Sequence, residues 1–220
     1  MLKHYASLGA EALKDGASLQ IGFNYFQLKL TGERELTVLS PDFDDPRTIR
    51  STLTANLTKA LWVHLMHATV AGTTGLTVDD TFLLDDVAIQ QAVVTALADG
   101  EDIEMLFERL PLSDDQRFFH DGTRRSGWML TTPHPVEGED ARRLRNVDAG
   151  ALLALAPGVI PYLGLPVGTT VHLSGNTMHS VSIIDEEKAA EFQAANPTAT
   201  MGEFLSAPGT NRVLLVGALD

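Results

Sequence analysis

The segment 157–168, hereafter the proline corner, constrains the fold more than any other part of the chain. It is almost wholly apolar, and Pro157, Pro161 and Pro166 leave intervals too short for one continuous helix. Such a run is driven out of water, and apolar strand-like segments precede it around Trp128 and follow it at 169–173. We therefore expect the corner to wedge between a sheet and its neighbours.

The composition indicates a globular chain with a substantial core. The 220 residues are 44% hydrophobic and 20% charged, which are ordinary globular proportions. A chain of this length buries roughly 70% of its unfolded surface, as one large domain or two small ones. The chain has no cysteine, which excludes disulfides, thiolate zinc sites and cysteine nucleophiles, and which fits a cytoplasmic protein.

The charge balance favours a basic partner. Sixteen basic and 29 acidic side chains give a net charge of −13, which repels nucleic acid and anionic lipid. Ordinary solubility is the simpler explanation of such an excess. The sequence also predicts no signal peptide and no membrane span, because no window approaches the roughly 20 apolar residues that a span needs.

Hydrophobic periodicity and turn residues predict an α+β fold with mixed or antiparallel sheets, a long central helix and the proline-broken helical corner. The predicted regions are 1–111 and 126–220, joined by a linker or mobile loop at 112–125. The predicted helices are 1–16, 48–71 (ended by Gly72), 87–98 and 186–196. The predicted strands are 19–30, 35–40, 81–84, 103–111, 169–173, 179–184 and 211–217.

Two pairs of histidines could bind metal. His64 and His67 lie three apart on the long helix, but no further ligand falls on that face, so a helix-surface position is favoured. His172 and His179 would face each other across a hairpin turn at Gly175-Asn176, with Asp185 close behind. That set is either the site of a metal-dependent or small-molecule enzyme or a cross-strand pair without function.

No catalytic or phosphate-binding motif is complete. The sequence Ser126-Gly127-Trp128 lacks the second glycine of a nucleophile elbow, and the glycines at 72–75 lack the lysine of a phosphate loop. Paired aspartates become catalytic only in a cleft that perturbs their pKa. Turn-located pairs instead indicate a solvated face or a patch for a basic partner, and no cofactor is predicted.

Several motifs resemble bacterial immunity proteins, in particular immunity protein family thirty-three, formerly a domain of unknown function. The carboxyl-terminal motifs are Ser126-Gly127-Trp128, Asn146-Val147-Asp148, Pro157, Ile160-Pro161 and Pro166-Val167-Gly168. The amino-terminal half is similar at 41–46, 53–57 and 108–109. The resemblance covers about half of the positions, and most of these are apolar or turn-forming.

The resemblance implies a non-catalytic cytoplasmic protein that binds and neutralises a toxin from a neighbouring bacterium, such as a type VI secretion effector. With the acidic charge, it directs attention to six aspartates as the partner-binding residues: Asp79, Asp80, Asp85, Asp86, Asp114 and Asp115. A homodimeric adaptor that associates through the long helix is a further hypothesis, because that helix has apolar residues on two sides.

Overall fold

The computed structural model describes residues 13–21, 24–33, 35–45, 51–76, 85–112, 124–184, 186–197 and 211–216. The first four strands form an antiparallel sheet in chain order: β1 (Ser18–Ile21), β2 (Asn24–Leu30), β3 (Leu36–Pro41) and β4 (Leu53–Thr54). The predicted hairpin of β2 and β3 is confirmed, with Leu28 opposite Val38. The run 19–30 is two strands rather than one, because β1 folds back on β2.

The long helix α1 (Thr58–Thr74) begins later and ends later than its predicted range. Leu53 pairs with Pro41 in the sheet, so the chain is still extended where a helix was predicted. The helix starts after Asn56, whose side-chain oxygen accepts a hydrogen bond from the Thr58 amide at 3.2 Å. It passes through Gly72 and ends at Gly75, which has the left-handed φ of 69° that helix ends favour.

The remaining elements build a second, larger sheet with its helices. In chain order they are β5 (Asp86–Gln90), α2 (Gln91–Ala98), β6 (Glu104–Arg109), β7 (Arg125–Thr131), α3 (Glu139–Arg142), β8 (Leu144–Val147), α4 (Ala149–Leu155), a 3₁₀ helix (Pro157–Tyr162), β9 (Thr169–Ser174), β10 (Thr177–Ile184), α5 (Glu186–Ala195) and β11 (Asn211–Val216). The strand order is β11-β10-β9-β6-β7-β5-β8. Neighbouring strands are antiparallel except β5 and β7.

The predicted helix 87–98 is wrong in its first part. Val87 and Ile89 are buried on one face of β5, which lies between β7 and β8. Their β-branched side chains suit that position, and the helix α2 starts only at Gln91. The spacing of Ile89, Val93 and Leu97 fits a helix from sequence alone, so the boundary depends on tertiary pairing.

One buried core connects the two sheets. It includes Phe26 from the small sheet, Val63 from α1, and Phe107 and Trp128 from the large sheet. β5 and β6 precede the predicted linker at 112–125, whereas β7 begins at its last residue, Arg125, and pairs with both strands. The larger sheet therefore crosses the predicted boundary between 1–111 and 126–220.

The α+β class is confirmed, including the proline-broken corner with its 3₁₀ helix. The strand at 103–111, the hairpin at 169–184, the helix at 186–196 and the terminal strand are also confirmed. Most of the predicted helix 1–16 and all of the strand 81–84 lie outside the described residues. Among the described helices, none is long and apolar enough to span a bilayer.

Candidate functional site

The proline corner is held to the large sheet and to α1 by buried side chains that donate to its backbone carbonyls. Irregular backbone leaves carbonyls without helical partners, and a buried carbonyl without a donor costs free energy. His67 Nδ1 donates to Pro161 O at 2.8 Å, Trp128 Nε1 donates to Leu163 O at 2.8 Å, and Arg109 Nη1 donates to Leu165 O at 2.5 Å. Thr169 Oγ1 also donates to Pro166 O at 2.7 Å. These four hydrogen bonds fix the backbone of the proline corner against the large sheet and α1.

The Ser126-Gly127-Trp128 motif has a structural role in this arrangement. Ser126 Oγ donates to Asp86 O at 2.9 Å and accepts from the Trp128 amide at 3.1 Å. Gly127 has a φ of 82°, and a Cβ atom there would lie 2.6 Å from Leu110 O. The Trp128 ring stacks on Phe107 with 4.2 Å between centroids. Within the carboxyl-terminal motif, Gly168 donates its amide to Arg109 O at 2.8 Å.

Five acidic residues, hereafter the acidic surface, surround the exposed side of α2. Two adjoining depressions of about 420 and 530 Å³ share the small residues Ala92 and Ala96 of α2. The depressions are lined by Asp99, Glu101, Asp102, Glu104 and Asp140. All five carboxylates are exposed. The larger depression also includes His134, and the smaller one includes Gln91. Among the described residues that line the two depressions, none is a lysine or an arginine.

Two polar contacts involve acids of this surface, and the exposed Arg142 and Arg143 follow Asp140 at the end of α3. His134 Nε2 lies 3.1 Å from Glu104 Oε2, and Ser174 Oγ donates to Asp102 Oδ1 at 3.4 Å. Both contacts are exposed to solvent, so they are weak. Concave shape and concentrated negative charge together suit a basic protrusion of another protein.

The aspartates predicted to bind a partner are placed unequally. Asp85 is only 5% exposed, and its Oδ2 lies 3.5 Å from Arg124 Nε, so a partner cannot reach it. Asp86 is half-buried in β5 and lines a separate depression of about 320 Å³. The other four lie outside the described residues: Asp79, Asp80, Asp114 and Asp115.

The histidines do not converge on a metal site. A shift of register between Met178 and Ser180 puts Ser180, rather than His179, opposite His172, and both histidines are exposed. Asp185 lies outside the described residues. His67 is buried rather than on the helix surface, because it reaches the proline corner. Within the described part of the chain, no group of three or more His, Asp or Glu side chains is placed to hold a metal ion.

A second surface feature lies on α1. Leu61, Trp62 and Leu65 are exposed there. Trp62 and Leu65 also line one side of an apolar groove of about 470 Å³ that runs between α1, the 3₁₀ helix and the turn between β9 and β10. Its apolar lining includes Met66 and Val70 of α1 and, on the opposite wall, Tyr162 and Met178.

Only some residues of the acidic surface could be predicted from the sequence, because the others come together through the fold. The pair Glu101-Asp102 is visible as an acidic turn after a helix, and Asp99 precedes it. Asp140 is remote in sequence and reaches the same surface because α3 packs on α2. That contact follows from the pairing of β8 with β5, which no local pattern specifies.

Comparison of the chain with protein-family models, curated proteins and solved structures found no match.

Proposed function

We propose that the protein is a non-catalytic bacterial immunity protein that binds and neutralises a cognate toxin in the cytoplasm. The toxin is one delivered by a neighbouring cell, for example through type VI secretion. The acidic surface around α2 is its docking site, and the toxin contributes a basic protrusion. Inhibition results from occupation of the toxin surface rather than from bond-making.

The acidic surface is the observation that carries this proposal. Five exposed carboxylates line two adjoining depressions, and the described part of the chain contributes no lysine or arginine to either lining. Complementary charge accelerates association and disfavours wrong partners, since like-charged proteins are repelled. The net charge of −13 extends that attraction beyond the contact itself.

The motifs that resemble immunity family thirty-three support the scaffold part of the proposal. Trp128, Pro161 and Gly168 lie in or against the proline corner, where they serve packing and backbone hydrogen bonding. The corner and β6 are rigidly connected, and β6 begins at Glu104 of the acidic surface. A rigid scaffold under a charged surface reduces the entropy lost on binding.

Protection of growth tests the proposal. The chain is co-expressed with a toxin domain encoded beside its own gene, and growth of the host is measured. We expect protection by the wild type and its loss when Asp99, Glu101, Glu104 and Asp140 are all changed to lysine. The matched control changes Glu33, Glu35, Glu187 and Glu191 to lysine, four exposed acids elsewhere with the same change in net charge.

Two results would contradict the proposal. The first is that both lysine variants lose protection or that both retain it. In each case the position of the acidic residues would not matter for protection. The second is a neighbouring gene set that encodes metabolic enzymes and no toxin. Circular dichroism establishes that both variants are folded before growth is compared.

A further inference from the structure

The outer face of α1 has no charged side chain. It consists of seven exposed residues at helical spacing: Leu61, Trp62, Leu65, Ala68, Thr69, Gly72 and Thr73. Of the charged residues that make up 20% of the chain, α1 contains only Lys59, which lies in its first turn and pairs with Asp44 at 3.1 Å. Trp62 and Leu65 are 56% and 64% exposed. Exposed apolar patches of this kind mark interfaces.

The outer face is also divided by side-chain size. The large residues Leu61, Trp62 and Leu65 occupy its amino-terminal half, whereas small residues from Ala68 to Thr73 occupy its carboxyl-terminal half. Two identical helices that cross antiparallel at Leu65 would place the large half of each on the small half of the other. The face is therefore complementary to itself.

We infer that α1 forms a homodimer interface around a two-fold axis at Leu65. Helical spacing then sets Leu65 against Leu65 of the partner subunit and Leu61 against Ala68 of the partner subunit. Trp62 comes over Thr69 of the partner subunit, which borders the apolar groove. Each Trp62 thus enters the groove of the other copy. This surface is separate from the acidic surface on α2, so the inference does not depend on the proposed function.

The available area fits a dimer of modest stability. α1 has 17 residues and is therefore about 26 Å long. A standard interface buries about 800 Å² on each partner, which is more than two helices of this length cover alone. A tryptophan that fills the groove buries about 150–250 Å² and brings the 3₁₀ helix and the β9–β10 turn into contact. We expect a dimer that dissociates on dilution.

Charge distinguishes a second copy from an unrelated partner. A basic protein would be drawn to the acidic parts of a chain with net charge −13, not to its uncharged helix. Two copies of that chain repel each other, so a self-contact is least opposed where both surfaces are neutral. The outer face of α1 meets that condition along its whole length.

Sedimentation equilibrium over a range of concentrations tests the inference. The wild-type mass is expected to rise from 23.8 kDa towards twice that value. Leu65→Glu is expected to hold the mass at that of one chain, because it places two carboxylates opposite each other on the axis. Leu144→Glu is the matched control, since Leu144 is an exposed leucine on the edge strand β8, and it is expected to behave as the wild type.

Cross-linking tests the position of the axis in a chain that has no cysteine of its own. Packed helix axes lie about 8–10 Å apart, and each Cα atom lies about 2.3 Å from its own axis. The two facing Cα atoms at position 65 are then about 3.4–5.4 Å apart, which overlaps the range of about 4.4–6.8 Å that a disulfide spans. Leu65→Cys is expected to form covalent dimers on mild oxidation at least about tenfold faster than Leu144→Cys.

Three results would overturn the inference. They are a wild type that stays at the mass of one chain at every concentration, a Leu65→Glu variant that still dimerises, and equal cross-linking rates for the two cysteine variants. If the wild type has the mass of one chain, the outer face of α1 would instead be a binding surface for a different protein. The thermal midpoints of the glutamate variants show that each chain is folded, since both leucines are exposed.

Discussion

At the scale of single residues, His67 connects the long helix to the proline corner. Its Nδ1 carries the proton, because Pro161 O can only accept. Burial lowers the pKa of His67, and the hydrogen bond to Pro161 only partly opposes that effect. The ring also lies against Gly164, where a Cβ atom would be 2.5 Å from Nε2. The neutral His67 side chain thus packs between α1 and the proline corner.

Stability is expected to fall as the pH decreases through about 6.5. The folded chain holds His67 with a pKa below the 6.5 of an ordinary histidine, so below that pH the unfolded chain binds more protons. The loss is at most about 1.4 kcal/mol per pH unit for this group. Urea denaturation at pH 7.5 and 5.5 measures it. His67→Gln should show a smaller loss, and His64, whose pKa burial also lowers, contributes to the loss that remains.

The exposed His172 provides the control for that experiment. His172→Gln makes the same substitution at an exposed histidine on β9. An undiminished pH dependence in His67→Gln would contradict the assignment to His67.

The same substitution at two glycines is expected to have opposite effects. Gly164→Ala forces a methyl group against the His67 ring and should destabilise the fold by about 1–3 kcal/mol. Gly72→Ala meets nothing within 4 Å on the surface of α1 and should stabilise it by about 0.5–1 kcal/mol. Thermal denaturation of both variants checks the pair. Equal shifts of the melting temperature would contradict the predicted clash between the methyl group introduced at position 164 and the His67 ring.

At the scale of elements, the proline corner depends on the large sheet for its hydrogen bonds. Trp128 from β7, Arg109 from β6 and His67 from α1 each donate to a different carbonyl of the corner. The corner was predictable from its prolines and apolar residues, because these restrict the backbone locally. Its donors were not, because they are up to 94 residues away in sequence.

Removal of one hydrogen-bond donor to the proline corner is expected to lower the free energy of unfolding far more than the same substitution on the surface of α1. Trp128→Phe deletes the hydrogen bond to Leu163 O and leaves a cavity, which should lower the free energy of unfolding by about 2–4 kcal/mol. At a dilution where the chain is monomeric, Trp62→Phe on the exposed side of α1 should change it by less than about 0.5 kcal/mol. Urea denaturation followed by circular dichroism compares the two variants. Similar losses would contradict the proposed role of Trp128.

Element boundaries show where sequence reasoning reaches its limit. The hairpin of β9 and β10 was predictable because strand-like residues flank the Gly175-Asn176 turn. The predicted helix 87–98 begins too early. The spacing of Ile89 and Val93 fits a single helix, and it fits equally well a strand that is followed by a helix. Pairing with β7 decides between the two, and pairing is not a local property.

At the scale of the whole molecule, the sheet order determines the candidate site. β8 returns to pair with β5, so α3 packs against α2 and Asp140 joins Glu101 beside one depression. The acidic charge and the resemblance to immunity proteins predicted an acidic partner-binding region, but they directed attention to other aspartates. Asp85 has the right charge, but it is buried beside Arg124 because it directly precedes a central strand. Burial, rather than composition, decides which carboxylates can meet a partner.

The most direct measurement is the rate at which the chain associates with the toxin encoded beside it, at several salt concentrations. We expect the four-lysine variant of the acidic surface to associate at least about tenfold more slowly than the wild type, with a flatter salt dependence. The variant with lysines at Glu33, Glu35, Glu187 and Glu191 should associate clearly faster than it. Equal rates for the two lysine variants would contradict docking at the acidic surface.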